Sequence, residues 1–110
     1  MSAALISFLG EKYQAFAASS KEEVLDQLRQ EDIDLLIIDV EIPAAKTLHL
    51  IQEAGSIRPD LSVIVMYVYF DQTQDVEHLI RKIADVCVRK PFDSCEVILK
   101  AIQQLEKKAD

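Results

Sequence analysis

Glycine is almost missing from this chain: Gly10 and Gly55 are the only two in 110 residues. A loop that cradles phosphate needs several glycines close together, so no glycine-rich nucleotide motif is present. Cysteine is equally scarce. Cys87 and Cys95 form no CxxC pair, and with only His49 and His78 beside them they argue against a zinc site. Positive charge is in deficit, with 12 Lys and Arg against 19 Asp and Glu, a net charge of −7 and a pI of about 4.7. Such a surface repels phosphate backbones, so no direct nucleic-acid partner is expected. No apolar run approaches the ~18 residues of a membrane span, so no membrane association is expected. The opening "MSAALISFLG" has no basic residue ahead of its apolar ones, which argues against a secretory signal. The two cysteines therefore read as reduced thiols, and the expected location is cytoplasmic.

What is present is a core-forming composition. Half the residues are hydrophobic, enough for a single domain over 1–110. Short apolar runs alternate with amphipathic segments. "SSKEEVLDQLRQ" has Ser20 and Glu23 at capping-box spacing, then Val24, Leu25 and Leu28 on one face, which predicts a helix. "DLLIID" is a continuous apolar run and predicts a strand covered on both faces. "AKTLHLIQEAG" puts Leu48, Ile51 and Ala54 on one stripe and predicts a helix stopping at Gly55. "LSVIVMYVYF" predicts a second strand. "QDVEHLIRKIA" places Val76, Leu79, Ile80 and Ile83 at helical spacing. "DVCVRK" predicts a third strand that stops at Pro91. "FDSCEVILKAIQQLEKK" predicts a last helix, capped by Asp93, with Val97, Ile98, Ala101, Ile102 and Leu105 as its apolar face. Nearer the start, Tyr13 to Ala17 reads as a short strand. Leu5 to Leu9 fits a helix ending at Gly10, or alternatively a strand.

From Ser20 onward the order is α-β-α-β-α-β-α, which implies an α/β fold with a parallel sheet and helices on both faces. Chemistry in such sheets sits at the carboxyl ends of the strands. Asp39, the segment Tyr67 to Tyr69, and Lys90 end the three runs and are expected to meet at one rim.

These residues resemble a known family. "DLLIIDVEIP", then "SVIVMYVY", then "VRKPF" before a final helix is similar to the receiver domain of two-component response regulators, the CheY-like version of the flavodoxin-like fold. The resemblance implies that Asp39 holds the phosphoacceptor position and that Lys90 pairs with phosphoryl oxygens. It also implies a loop shaped by Pro43, a cis bond before Pro91 that aims Lys90 inward, and the Glu41 carbonyl as a metal ligand. Several departures accompany these matches. The chain reads as beginning inside the family's first helix, without the first strand and the acidic pair that holds Mg²⁺. The switch hydroxyl is replaced by Tyr67, and the aromatic of the last strand by Cys87.

The leading expectation is therefore a degenerate receiver, not an enzyme, that needs no cofactor and works through protein contacts. The face expected to carry them comprises Val76 to Ile83, Val86 to Val88 and Val97 to Leu105. Expected partners are a histidine kinase or an output domain. A homodimer, by strand exchange or through that last helix-strand-helix face, is a further expectation. The alternative is a competent receiver, truncated at its N-terminus, that accepts phosphate on Asp39 from a histidine kinase; Mg²⁺ would then be required. A small-molecule-binding flavodoxin-like domain is the reading from another class. If the first strand is missing, three remedies are open for the exposed edge of "LLIID". Tyr13 to Ala17 could pair with it, Ala4 to Phe8 could fill the place, or a second chain could donate a strand.

Overall fold

The computed structural model describes residues 9–10, 13–71, 75–90 and 96–109. Among the described residues from Lys21 onward, four helices and three strands alternate: α1 (Lys21–Gln30), β1 (Leu35–Asp39), α2 (Ala45–Ile57), β2 (Ser62–Tyr67), α3 (Glu77–Ile83), β3 (Val86–Arg89) and α4 (Glu96–Ala109). The strands form one parallel sheet in the order β1-β2-β3.

β2 is the centre, and its alternation divides the core. Ile64 and Met66 point to one face, where they meet Leu9 and the α4 residues Ile98, Ala101 and Ile102. Val63 and Val65 point to the other, against Ile38, Ile51 of α2 and Ile80 of α3. The four β2 residues Val63 to Met66 are no more than 4% exposed, and each such side chain contributes about 1.5–3 kcal/mol on burial. α1 lies outside α2, with Leu25 and Leu28 packed on Ala54. Helices thus cover both faces of the sheet, as the alternation predicts.

The α1 N-terminus forms as its spacing predicts, with one variation. Ser20 Oγ accepts from the Glu23 N–H at 3.2 Å, while the Glu23 carboxylate returns to the N–H and hydroxyl of Ser19. At the other end, the Arg58 side chain donates to the carbonyls of Leu28 and Glu31 and pairs with Asp32. A residue ending α2 thereby satisfies orphan carbonyls ending α1.

Four expectations need correction. α2 does not stop at Gly55 but continues to Ile57, because Ala54 and the half-buried Ile57 carry the apolar stripe onward to α1. Gly55 is exposed, and a Cβ there would meet nothing within 4 Å. Gly55→Ala is therefore expected to raise stability by about 0.5–1 kcal/mol, read as a higher midpoint in urea unfolding.

The second correction concerns Tyr13 to Ala17, which is not a strand and does not pair with β1. Tyr13 instead donates its N–H to the Leu9 carbonyl at 2.8 Å and leans on the α4 side of the core. Burial there, with the Glu106 carboxylate close by, pushes its phenol pKa up.

Third, β1 is less covered than a central strand. Leu35, Leu36 and Ile37 are half-buried and only Ile38 is buried. Among the described residues only β2 pairs with it. Fourth, of the apolar stripe predicted for α3, Ile80 alone is buried and Leu79 and Ile83 are exposed. Seven residues make barely two turns, so α3 sends only one fully buried side chain toward the sheet. Leu9 is helical, in line with the helical reading of its segment. The remainder of that segment, including Ala4 to Phe8, and the cap position Asp93 lie outside the described residues.

Candidate functional site

Because all three strands run parallel, their carboxyl ends share one rim. The register sets Asp39 opposite Met66, Met66 opposite Val88, and Tyr67 opposite Arg89. Lys90 follows immediately. Its ammonium reaches across the end of β2 and pairs with the Asp39 carboxylate. The two side chains are 18% and 24% exposed, so the pair is drier than an ordinary surface bridge.

The backbone ties this rim together. The Val40 N–H donates to the Met66 carbonyl at 3.0 Å, and the Lys90 N–H to the Tyr67 carbonyl at 2.6 Å. The Glu41 carbonyl accepts from two donors, the N–H of Val68 at 2.9 Å and that of Tyr69 at 3.3 Å. A carbonyl oxygen has two lone pairs, and both are used. The loop after β1 is thus fastened to the loop after β2. Pro43, farther along the first loop, is fully buried and anchors it.

Tyr67 points away from the Asp39–Lys90 pair. By alternation it shares the face of Val63 and Val65, beneath α3. Its hydroxyl accepts from Arg81 Nη2 at 3.0 Å. Its ring lies 4.6 Å from that of Phe70, tilted by 49°. The Arg81 guanidinium sits 5.0 Å from the Phe70 ring centre and 5.6 Å from that of Tyr67, within cation–π range. Arg81 Nε also donates to Glu77 at 2.8 Å. Glu77 first and Tyr67 second push the Arg81 pKa up. Cys87, half-buried on the same face, has its thiol pKa raised by burial, a shift that Arg81 opposes and Glu77 reinforces.

The fold therefore brings Asp39 and Lys90 together and separates Tyr67 from them. Pro91 and Cys95 lie outside the described residues. His49 and His78 are exposed on helix surfaces. Sequence reasoning missed Arg81. A signal existed in its i,i+4 spacing from Glu77 on a helix, but the bond to Tyr67 depends on α3 crossing the end of β2, which spacing alone does not reveal.

The described residues fit a Mg²⁺ ion poorly. Among the described residues, no three His, Cys, Asp or Glu side chains converge to hold a metal. The Glu41 carbonyl that the resemblance offers as a ligand is already doubly bonded to N–H groups.

No curated protein matches the chain in sequence. Several solved structures match it in fold. A CheY-like response regulator receiver domain protein from Methanospirillum hungatei JF-1 is 22% identical, with a TM-score of 0.72 over 97% of this chain and 83% of the other. A response regulator from Thermotoga maritima is 25% identical, with a TM-score of 0.75 over 92% of this chain and 84% of the other. A response regulator from Burkholderia pseudomallei, solved with a phosphorylated aspartic acid, calcium ion and citrate, is 22% identical, with a TM-score of 0.70 over 98% of this chain and 66% of the other. The family model for the response regulator receiver domain matches residues 1–103. With that match across almost the whole length, and a parallel sheet ending in an Asp–Lys pair, the chain belongs to the response regulator receiver domain family.

Proposed function

We propose that this receiver domain is degenerate at its phosphorylation site and signals through protein contacts. The observation that carries the reading is the Glu41 carbonyl, filled by the Val68 and Tyr69 N–H groups. Mg²⁺ needs several oxygen ligands in octahedral array before it can neutralise a transferring phosphoryl group. Opening this carbonyl to a metal would break at least one of its two backbone hydrogen bonds and loosen the tie between the two rim loops. The Tyr67 hydroxyl is likewise committed to Arg81, so it does not sit beside Asp39 as a phosphoryl partner.

The contact face is that of α3, β3 and α4. Leu79, Ile83 and Val97 are 43%, 38% and 37% exposed there, while Ile80, Ile98, Ala101 and Ile102 anchor it to the core. The partners would be proteins, with a histidine kinase or an output domain the expected classes. A dimer formed on this face, or by strand exchange at the β1 edge, is the homotypic version of the same reading.

One observation favours the competent reading: the Asp39–Lys90 pair persists at the rim. In that case a phosphoryl group would leave a kinase histidine nitrogen and bond to an Asp39 carboxylate oxygen, with Lys90 balancing its charge. Beryllofluoride with Mg²⁺ separates the two. In the ¹⁵N-labelled chain we expect no saturable amide shift at Asp39, Val40, Val68 or Lys90 at millimolar reagent. Saturable shifts at those amides would overturn the degenerate reading.

A further inference from the structure

On the α3 side of the rim, away from Asp39, a cleft of about 220 Å³ opens between the loop after β2, α3 and the end of β3. Tyr67, Tyr69, Phe70, Glu77, Arg81 and Arg89 line it. Small-molecule sites usually run to about 300–1,000 Å³, so this volume suits one or two side chains rather than a cofactor.

We propose that the cleft receives an acidic side chain from a short apolar-acidic segment of a partner protein. This rests on the reading of the domain as a protein-contact module and names the chemistry of what it contacts. Charge is the first argument. The chain as a whole carries a net −7, yet the lining holds two guanidiniums against one carboxylate, Glu77. The second argument is geometric. Arg89 Nε donates to the Val68 carbonyl at 3.2 Å, which fixes the root of its guanidinium. Among the described residues its two terminal amino groups have no partner. A guanidinium held in this way is a ready fork for a carboxylate, which it binds through two parallel bonds.

Third, the wall beside that fork is aromatic. Tyr69 is 49% exposed, and its ring offers an apolar surface to a residue flanking the acid. Phe70 is buried and holds the opposite wall through its contacts with Tyr67 and Arg81. Arg81 is already bonded to Glu77 and Tyr67, so it supplies charge and a rigid wall, and Arg89 makes the direct contact. A nucleic-acid phosphate would meet the same two cations, but a polyanion would also meet the acidic remainder of the surface.

The test uses the ¹⁵N-labelled chain and the capped peptide acetyl-SEDLFES-amide, with acetyl-SQNLFQS-amide as its neutral twin. We expect saturable shifts of the Tyr69, Phe70 and Arg89 amides with the acidic peptide. Binding should be at least about tenfold weaker for the neutral twin and for Arg89→Ala, with Arg89→Lys between, since it keeps the charge and loses the fork. The spectrum of Arg89→Ala without peptide establishes that the variant is folded. The proposal is overturned by absence of saturable shifts at millimolar acidic peptide, by equal binding of the neutral twin, or by undiminished binding to Arg89→Ala. Tighter binding of a ten-nucleotide oligothymidylate than of the acidic peptide also overturns it. Loss of the peptide result with beryllofluoride inert sinks the cleft alone, whereas beryllofluoride shifts alongside peptide binding sink the degenerate reading alone.

Discussion

Ile80→Ala is expected to release α3 from the sheet and to lower stability by about 2–5 kcal/mol, the usual cost of emptying a fully buried aliphatic site. Ile80 is 0% exposed and is the only buried residue of a seven-residue helix. An isolated helix of that length does not hold itself together in water, so its structure leans most on this buried contact with Val63, Val65 and their neighbours, with the Arg81–Tyr67 bond as a lesser support. The loss should be local before it is global. Amide hydrogen exchange in α3 should approach loop rates, while β1, α1 and α2 keep most of their protection. The Tyr67–Arg81 bond should fail with it, because Arg81 is presented by the same helix. Leu79→Ala, one position earlier and 43% exposed, is the control and should shift the unfolding midpoint little. Equal effects of the two substitutions would mean that α3 is not held by Ile80.

The same helix shows where sequence reasoning reached and where it stopped. The period of Val76, Leu79, Ile80 and Ile83 correctly announced a helix, because periodicity reports local geometry. It did not reveal which of the four would be covered, because that depends on how far a short helix overlaps the sheet. The strands were legible for a simpler reason: "LLIID", "SVIVMY" and "VCVR" are apolar runs that match β1, β2 and β3. The Tyr13 to Ala17 segment looked equally plausible. It lost because Tyr13 is held by Leu9 and the α4 side of the core, not by β1. At the site, Asp39 and Lys90 were readable because each ends a strand, and parallel strands bring their ends together. The double acceptance by the Glu41 carbonyl was not readable, since backbone N–H groups leave no mark in side-chain identity.

Asp39 and Lys90 give the second large effect, and its size depends on what is left behind. Replacing Asp39 by alanine leaves the Lys90 ammonium, 18% exposed, without that carboxylate in a partly desolvated place. The expected cost is about 1–3 kcal/mol, between the values for surface and fully buried pairs. Asp39 has interactions besides Lys90, so part of this cost belongs to them and will persist in any variant that lacks the carboxylate. Lys90→Met should cost a similar amount, because it takes the ammonium away from the acid while keeping the length of the side chain. The double variant Asp39→Ala with Lys90→Met should be more stable than the sum of the single losses predicts, by about 1–2 kcal/mol of coupling. Urea unfolding of the four proteins measures this directly. Strict additivity would mean that the two charges do not support each other, and that the pair is incidental to the rim. Positive coupling in a chain that beryllofluoride leaves unchanged would mean that the carboxylate in the phosphoacceptor position serves as Lys90's counter-ion. Lys90 is also bonded through its own N–H to the Tyr67 carbonyl. The ion pair would then hold the ends of β1 and β3 against β2, and with them the base of the face on which partners would dock.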